Sequence, residues 1–222
     1  MEDFYQDTLK KLTHWDRGLG RTAVDLLSNP GPMAKAYILG KRAKYTKPLN
    51  FLLIVTTIAF IFTSQNEFNT SIQDMRGGEA FSDTQQKIND WIYGHISFVM
   101  LGMLPFLAFY TRLFNRKADV NFAEHLVVNT YWVAGGVLIG FPFNLLMLVC
   151  NISMFSPISM ALHTSIVFLY YPWAYRHFFG KKSAAGWLQA VLVYALAYIT
   201  YIAAISLVAG IGILIYIFFF KT

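Results

Sequence analysis

No Asp, Glu, Lys or Arg occurs at 48–64, 91–111, 126–175 or 183–220, and these stretches hold more than half of the 222 residues. A water-soluble fold needs charge on its outer faces, and over most of its length this chain has none to put there. Charged residues are 14% of the total, against about 25% in an ordinary soluble domain. The pattern excludes a soluble globular enzyme, a disordered tail and a disulfide scaffold. The single cysteine, Cys150, can form neither an internal bridge nor a zinc site.

A bilayer core about 30 Å thick takes roughly 20 apolar residues as a helix, because lipid cannot hydrogen-bond an open backbone. Five spans follow, at about 49–64, 91–111, 126–150, 154–175 and 187–211. The 50-residue uncharged block folds back near Asn151, Ser153, Ser156 and Pro157. The last 35 apolar residues read as one span that overshoots, with a break at Gly210 and Gly212, and hence six spans, as the alternative. The expected fold is an all-α, polytopic transmembrane helix bundle. It carries a cytoplasmic amphipathic helical arm at 1–47 and an acidic outer loop at 65–90.

Basic residues in short loops stay on the cytoplasmic side. With the N-terminus inside, fifteen of the 18 Lys and Arg fall inside and three outside. The loop between the first two spans, with Glu67, Asp74, Glu79, Asp83 and Asp90, fits the outer side. The expected location is the inner (plasma) membrane of a cell, multi-pass, with the C-terminus outside. The net charge of +6 reflects that topology and not a nucleic-acid partner, since no basic–aromatic recognition module is present. The first 45 residues lack a cleavable signal core, so the first span reads as an uncleaved anchor.

Within the arm, Tyr5, Leu9, Leu12 and Leu19 recur at near-helical spacing beside Lys10, Lys11, Asp16 and Arg17, the pattern of an interfacial amphipathic helix. Asn29-Pro30-Gly31-Pro32 breaks that helix, and a second short one starts at Pro32. Lys35, Lys41, Arg42, Lys44 and Lys47 then lead into the first span with no acid between Asp25 and Glu67. They read either as ordinary positive-inside residues or as a site for anionic lipid headgroups, worth about 1 kcal/mol per basic residue.

These same residues carry a family likeness. Pro30-Gly31, Gly40-Lys41-Arg42, Tyr45 and Pro48, with Asp16-Arg17-Gly18-Leu19 upstream and Asn121-Phe122-Ala123-Glu124 downstream, resemble domain of unknown function 3667 (DUF3667). The resemblance implies a bacterial polytopic inner-membrane protein with no established activity. Many relatives begin with a Cys-x-x-Cys zinc-ribbon-like element; this chain has no such pair, so no metal or other cofactor is expected. The layout of a cytoplasmic arm before five spans is also similar to the Yip1-like membrane proteins.

Ionisable and amide side chains inside spans are costly and mark candidate sites. His163 lies roughly 13 Å deep in the fourth span, with Tyr198, Thr200 and Tyr201 at similar depth on the fifth. A neutral His163 hydrogen-bonded to one of those hydroxyls is the structural reading; a proton relay or substrate site is the functional one. Glu124 and His125 stand at the inner mouth of the third span, with Asn129 one turn further on. Glu124 reads as a helix cap or as the ionic partner of Arg42 or another cation of the 41–47 stretch. Asn144 and His95 sit near the outer face. Gly135, Gly136 and Gly140 offer a small-residue packing face.

No hydrolase elbow, phosphate loop or metalloprotease helix is present. The favoured function is a membrane scaffold or accessory subunit, not an enzyme, working with lipids, a partner membrane protein or a second copy of itself. A small transporter using a polar track through His163, Asn129 and Asn144 is the first rival. An intramembrane enzyme around His163 is the second.

Overall fold

A computed structural model describes residues 18–61, 87, 94, 96–150, 152 and 156–220. Every regular element among them is helical, as expected. The leading helix, α1, is described over 18–28. It is followed by α2 (Pro30–Ile38), a 3-10 turn at Arg42–Lys44, α3 (Pro48–Ile61), α4 (Ile96–Phe114), α5 (Phe122–Val149), α6 (Pro157–Phe179) and α7 (Ala184–Phe220). Tyr5, Leu9 and Leu12 of the amphipathic stretch, His95, and nearly all of the acidic loop lie outside the described side chains.

Local chemistry sets the boundaries. Pro30, Pro48 and Pro157 each open a helix, where the missing N–H costs nothing and the fixed φ is already helical. Ser156 Oγ accepts from Ser159 N and caps α6. Asn121 and Glu124 cap α5 reciprocally, Asn121 Oδ1 accepting from Glu124 N at 2.9 Å and Glu124 Oε2 from Asn121 N at 2.8 Å. Both α2 and α6 end on a left-handed glycine, Gly40 at φ 100° and Gly180 at φ 69°. The amide after each closes back on the helix, Lys41 N to Ala36 O and Lys181 N to Arg176 O, both 3.0 Å. Helices α4, α5 and α6 run continuously through Pro105, Pro142 and Pro172.

The central helix is α5, which packs on α2, α3, α4 and α6; α7 packs on α4 and α6. One buried cluster joins Trp132 and Val128 of α5 to Leu107, Tyr171, Tyr175, Phe178 and Val193. A second joins Tyr131 and Ala134 to Leu26, Met33 and Tyr37 of the arm and to Phe51, Leu52 and Val55 of α3. The arm is therefore part of the core.

Among the described residues two helical segments, Phe122–Met147 and Ala184–Leu207, are long and apolar enough to cross a membrane, and Met100–Phe114 is a shorter apolar helix. The last helix is continuous through Gly210 and Gly212 and has 37 residues, about 55 Å of rise.

Candidate functional site

The start of α3, the end of α4, the start of α5, the end of α6 and the start of α7 meet at one end of the bundle. Hydrogen bonds across that end establish it: Tyr131 Oη to Thr46 O, Asn129 to Thr111, Asn115 to Tyr175, and Lys181 to Gln189. The loops carrying Arg116, Lys117, Lys181 and Lys182 lie here, as does the cationic arm. We refer to it as the basic end.

A buried polar chain runs into the bundle from this end. Lys181 Nζ donates to Asn115 Oδ1 and Gln189 Oε1, each at 2.7 Å, and lies over the Tyr175 and Phe179 rings. Gln189 Nε2 donates to Phe114 O at 2.8 Å. Asn115 Nδ2 donates to Tyr175 Oη and Thr111 O, both 2.7 Å. Asn129, with no exposed surface, donates to Thr111 Oγ1 at 3.0 Å and His125 O at 2.8 Å, and accepts from Tyr171 Oη at 2.9 Å. These bonds cross-link α4, α5, α6 and α7. Interhelical bonds of this kind each contribute on average about 0.6 kcal/mol in membrane bundles, so a chain of them selects one arrangement of the helices. Lys181 faces neutral amide oxygens, and burial holds its ammonium below the usual lysine range.

Beside the chain, His125 is 1% exposed and stacks on Phe179 at 5.8 Å. Neither its ring nitrogens nor Trp132 Nε1 has a hydrogen-bond partner among the described residues.

Of the candidates read from the sequence, only Asn129 belongs to this chain. His163 bonds Ser159 O of its own helix at 2.8 Å. The expected bond to Tyr198, Thr200 or Tyr201 is not made. Thr200 donates to Leu196 O and Ala197 O, and Tyr198 is 51% exposed. Tyr201 lies against Gly102 and Phe106 of α4. The azimuth of each side chain about its helix, and not depth alone, decides which groups meet. Asn144 is half-buried, with no side-chain hydrogen bond among the described residues. The expected ion pair of Glu124 with Arg42 or its neighbours is also replaced: Glu124 is the cap of α5, and the acid that meets the basic stretch is Asp25.

In the arm, Asp25 Oδ2 accepts from Tyr45 Oη at 2.9 Å and Lys44 Nζ at 3.3 Å. The bond from Lys44 to the Tyr45 hydroxyl at 3.0 Å, with the Asp25 carboxylate behind it and a lesser desolvation cost opposing, holds the Lys44 ammonium above its ordinary range. Thr22 Oγ1 accepts from Thr46 N at 2.9 Å. Gly31 presses on the backbone at His177–Phe178, where a Cβ would lie 2.5 Å from Phe178 N. By contrast Lys35, Lys41, Arg42 and Lys47 are exposed, and their side chains make no hydrogen bond or ion pair among the described residues.

An apolar groove of about 420 Å3 lies between α5 and α6, lined by Ile139, Phe143, Leu162, Ile166, Leu169 and Trp173 among others. His163 does not line it. No group of His, Cys, Asp and Glu among the described residues has metal-binding geometry.

Residues 16–60 match the model of the family described as Protein of unknown function (DUF3667). The likeness to that family stands over this segment, which holds Pro30, Gly31, Gly40, Lys41, Arg42, Tyr45 and Pro48. The chain matches none of the curated proteins and none of the solved structures with which it was compared, and nothing in these comparisons supports the likeness to Yip1-like proteins. The family block is a packing device in this fold: Pro30 and Pro48 start helices, Gly40 ends one, Gly31 admits the arm to α6, and Tyr45 ties it to Asp25. Sequence reasoning missed Thr111, Asn115, Tyr171, Tyr175, Lys181 and Gln189. A signal existed: Thr111–Asn115, His125–Asn129 and Tyr171–Tyr175 are polar pairs one turn apart at matching ends of three successive helices.

Proposed function

We propose that this protein is a five-span inner-membrane scaffold or accessory subunit, with its N-terminal arm and basic end in the cytoplasm. One observation carries the reading. The polar side chains buried at the basic end are used largely in holding α4 to α7 together, while the arm directs outward cations that have no side-chain partner among the described residues. A transport route or a catalytic centre needs polar groups left for a substrate, and among the described buried side chains only Thr46 Oγ1, the His125 ring and Trp132 Nε1 lack a partner. Anionic lipid headgroups and a partner membrane protein, or a second copy, are the partners that fit it.

The test is affinity purification of the full chain from native membranes with identification of both lipids and proteins. Co-purification of a defined membrane protein or of enriched anionic lipid is expected. The rival reading, a small transporter, draws on the chain from Lys181 to Asn129 and on the unpartnered His125. Solute flux into proteoliposomes that Asn129→Leu abolishes without loss of folded protein would replace the scaffold reading.

A further inference from the structure

The end of α6 closes over a histidine whose polar atoms are left unused. His125 stands in the first turn of α5, one residue before the third span. It is 1% exposed, and neither ring nitrogen is bonded among the described residues. Phe179, the last residue of α6, stacks on it with ring centroids 5.8 Å apart and planes at 25°. Trp132, whose ring lies 6.5 Å from that of Phe179, brings only an N–H donor, itself unpartnered. A neutral imidazole fits such a place at the cost of its unmade bonds. An imidazolium, with two donors and a charge, needs acceptors that these neighbours do not supply.

The charges set about this ring work the same way. Burial, with the Arg112 guanidinium of α4 adding to it and the Glu124 carboxylate of α5 opposing, holds the imidazole pKa down at about 4. Glu124 is already engaged as the cap of α5, accepting from Asn121 N. Beyond α6, Lys181 Nζ lies 5.8 Å from the centroid of the same Phe179 ring. On α6, Arg176 donates to Lys181 O and Lys182 O, and the Tyr175 hydroxyl accepts from Asn115. On α2, Lys35 is exposed, as are Lys41 and Arg42 after it.

The stack is joined to the arm. The rings of Phe178 and Phe179 are 4.8 Å apart. Phe178 belongs to one buried cluster with Ala34 of α2 and Trp132, and its backbone N is the atom on which Gly31 seats. The left-handed Gly180 follows at once, so displacing Phe179 moves only the frayed last turn of α6.

We propose that His125 is an acid-sensitive latch: its protonation unseats Phe179 and, through Phe178, releases α2 from the end of α6. Once Phe179 has moved, the imidazole meets water and titrates near its ordinary value of about 6.5. The closed form resists the proton. Its stability is therefore whole above about 6.5 and is lost progressively as pH falls from there toward the closed-state value. His163 and His177 lack this property, since each uses Nδ1 on a carbonyl of its own helix, Ser159 O and Trp173 O. The latch stands on the packing of the basic end and not on the scaffold reading.

The test is hydrogen–deuterium exchange of the full chain in detergent at pH about 7.5 and about 5.5, each amide referred to its intrinsic rate at that pH. Protection over 30–38 and 174–179 should fall about tenfold at the lower pH, the effect of one proton taken up one unit below 6.5. Protection over 196–206 of α7 should hold. His125→Phe keeps an aromatic ring against Phe179 and should abolish the fall, whereas His177→Gln should retain it. Arg112 is exposed, so Arg112→Gln should fold normally and shrink the fall, because the closed imidazole then takes the proton more readily. A fall that persists in His125→Phe, or one shared equally by 196–206, overturns the latch. Should His125→Phe fail to fold, an undiminished fall in Arg112→Gln overturns it instead.

Discussion

At the basic end, Asn129, Asn115 and Tyr171 donate across helix boundaries, to Thr111, Tyr175 and Asn129 respectively; toward the opposite end, His163 and Thr200 bond their own helices and no other among the described residues. Lipid tails are as apolar as leucine, and apolar contact alone gives helices in a bilayer little preference for one partner. Hydrogen bonds and close backbone approach supply the preference, and both are concentrated where the arm docks. The basic end defines which helices meet; the opposite end adapts to that arrangement.

The sharpest way to break this contrast is steric. Gly31→Ala puts a Cβ into the backbone at Phe178, and backbone cannot rotate away as a side chain can. We expect a loss of about 3 kcal/mol, read as a lower unfolding temperature in detergent. The adjacent glycines of α5 give an internal control. Around Gly136 a Cβ meets nothing within 4 Å, whereas at Gly135 it would lie 1.9 Å from Tyr170 Oη. Gly136→Ala should leave stability unchanged or raise it, and Gly135→Ala should lower it. Equal effects at 135 and 136 would show that close approach at this end is not what orders the helices.

A second, smaller effect comes from the polar chain. Asn129→Ala strands Tyr171 Oη and removes bonds to Thr111 Oγ1 and His125 O. A loss of about 2 kcal/mol is expected, near the upper end for intramembrane hydrogen bonds. Asn144→Ala and His163→Ala, which remove no interhelical bond, should stay within about 0.5 kcal/mol. If His163→Ala costs as much as Asn129→Ala, the two ends are not built differently.

How much of this was legible in the sequence follows the same division. Uncharged runs, prolines and the place of Glu124 in a first helical turn are local signals, and from them the helices and one cap could be read. Asn129 was legible as a buried amide at the basic end, and the family block as a unit. What the sequence left open was azimuth. Nothing local reports that Thr200 folds back on Leu196 O or that Tyr201 turns to Gly102. Asp25 as the partner of Lys44 was hidden for the same reason: nineteen residues and the whole of α2 separate them, and only the docked arm brings them together.

The smallest expected effect titrates the contrast within the basic end. Lys44 has its folded pKa raised above 10.5 by Tyr45 and Asp25, so its contribution is whole below 10.5 and is lost as pH rises through the folded value. Lys181 has its folded pKa lowered below 10.5 by burial. Its penalty is present below that folded value and is relieved as pH climbs from there toward 10.5. A pH series of unfolding in detergent should therefore show a slight gain approaching 10.5 and a loss beyond it. Lys181→Gln should flatten the rise and Lys44→Gln the fall, each leaving the other limb intact. If one substitution removes both limbs, the arm and the polar chain respond as a single electrostatic unit, and the separate roles assigned to Lys44 and Lys181 merge into one.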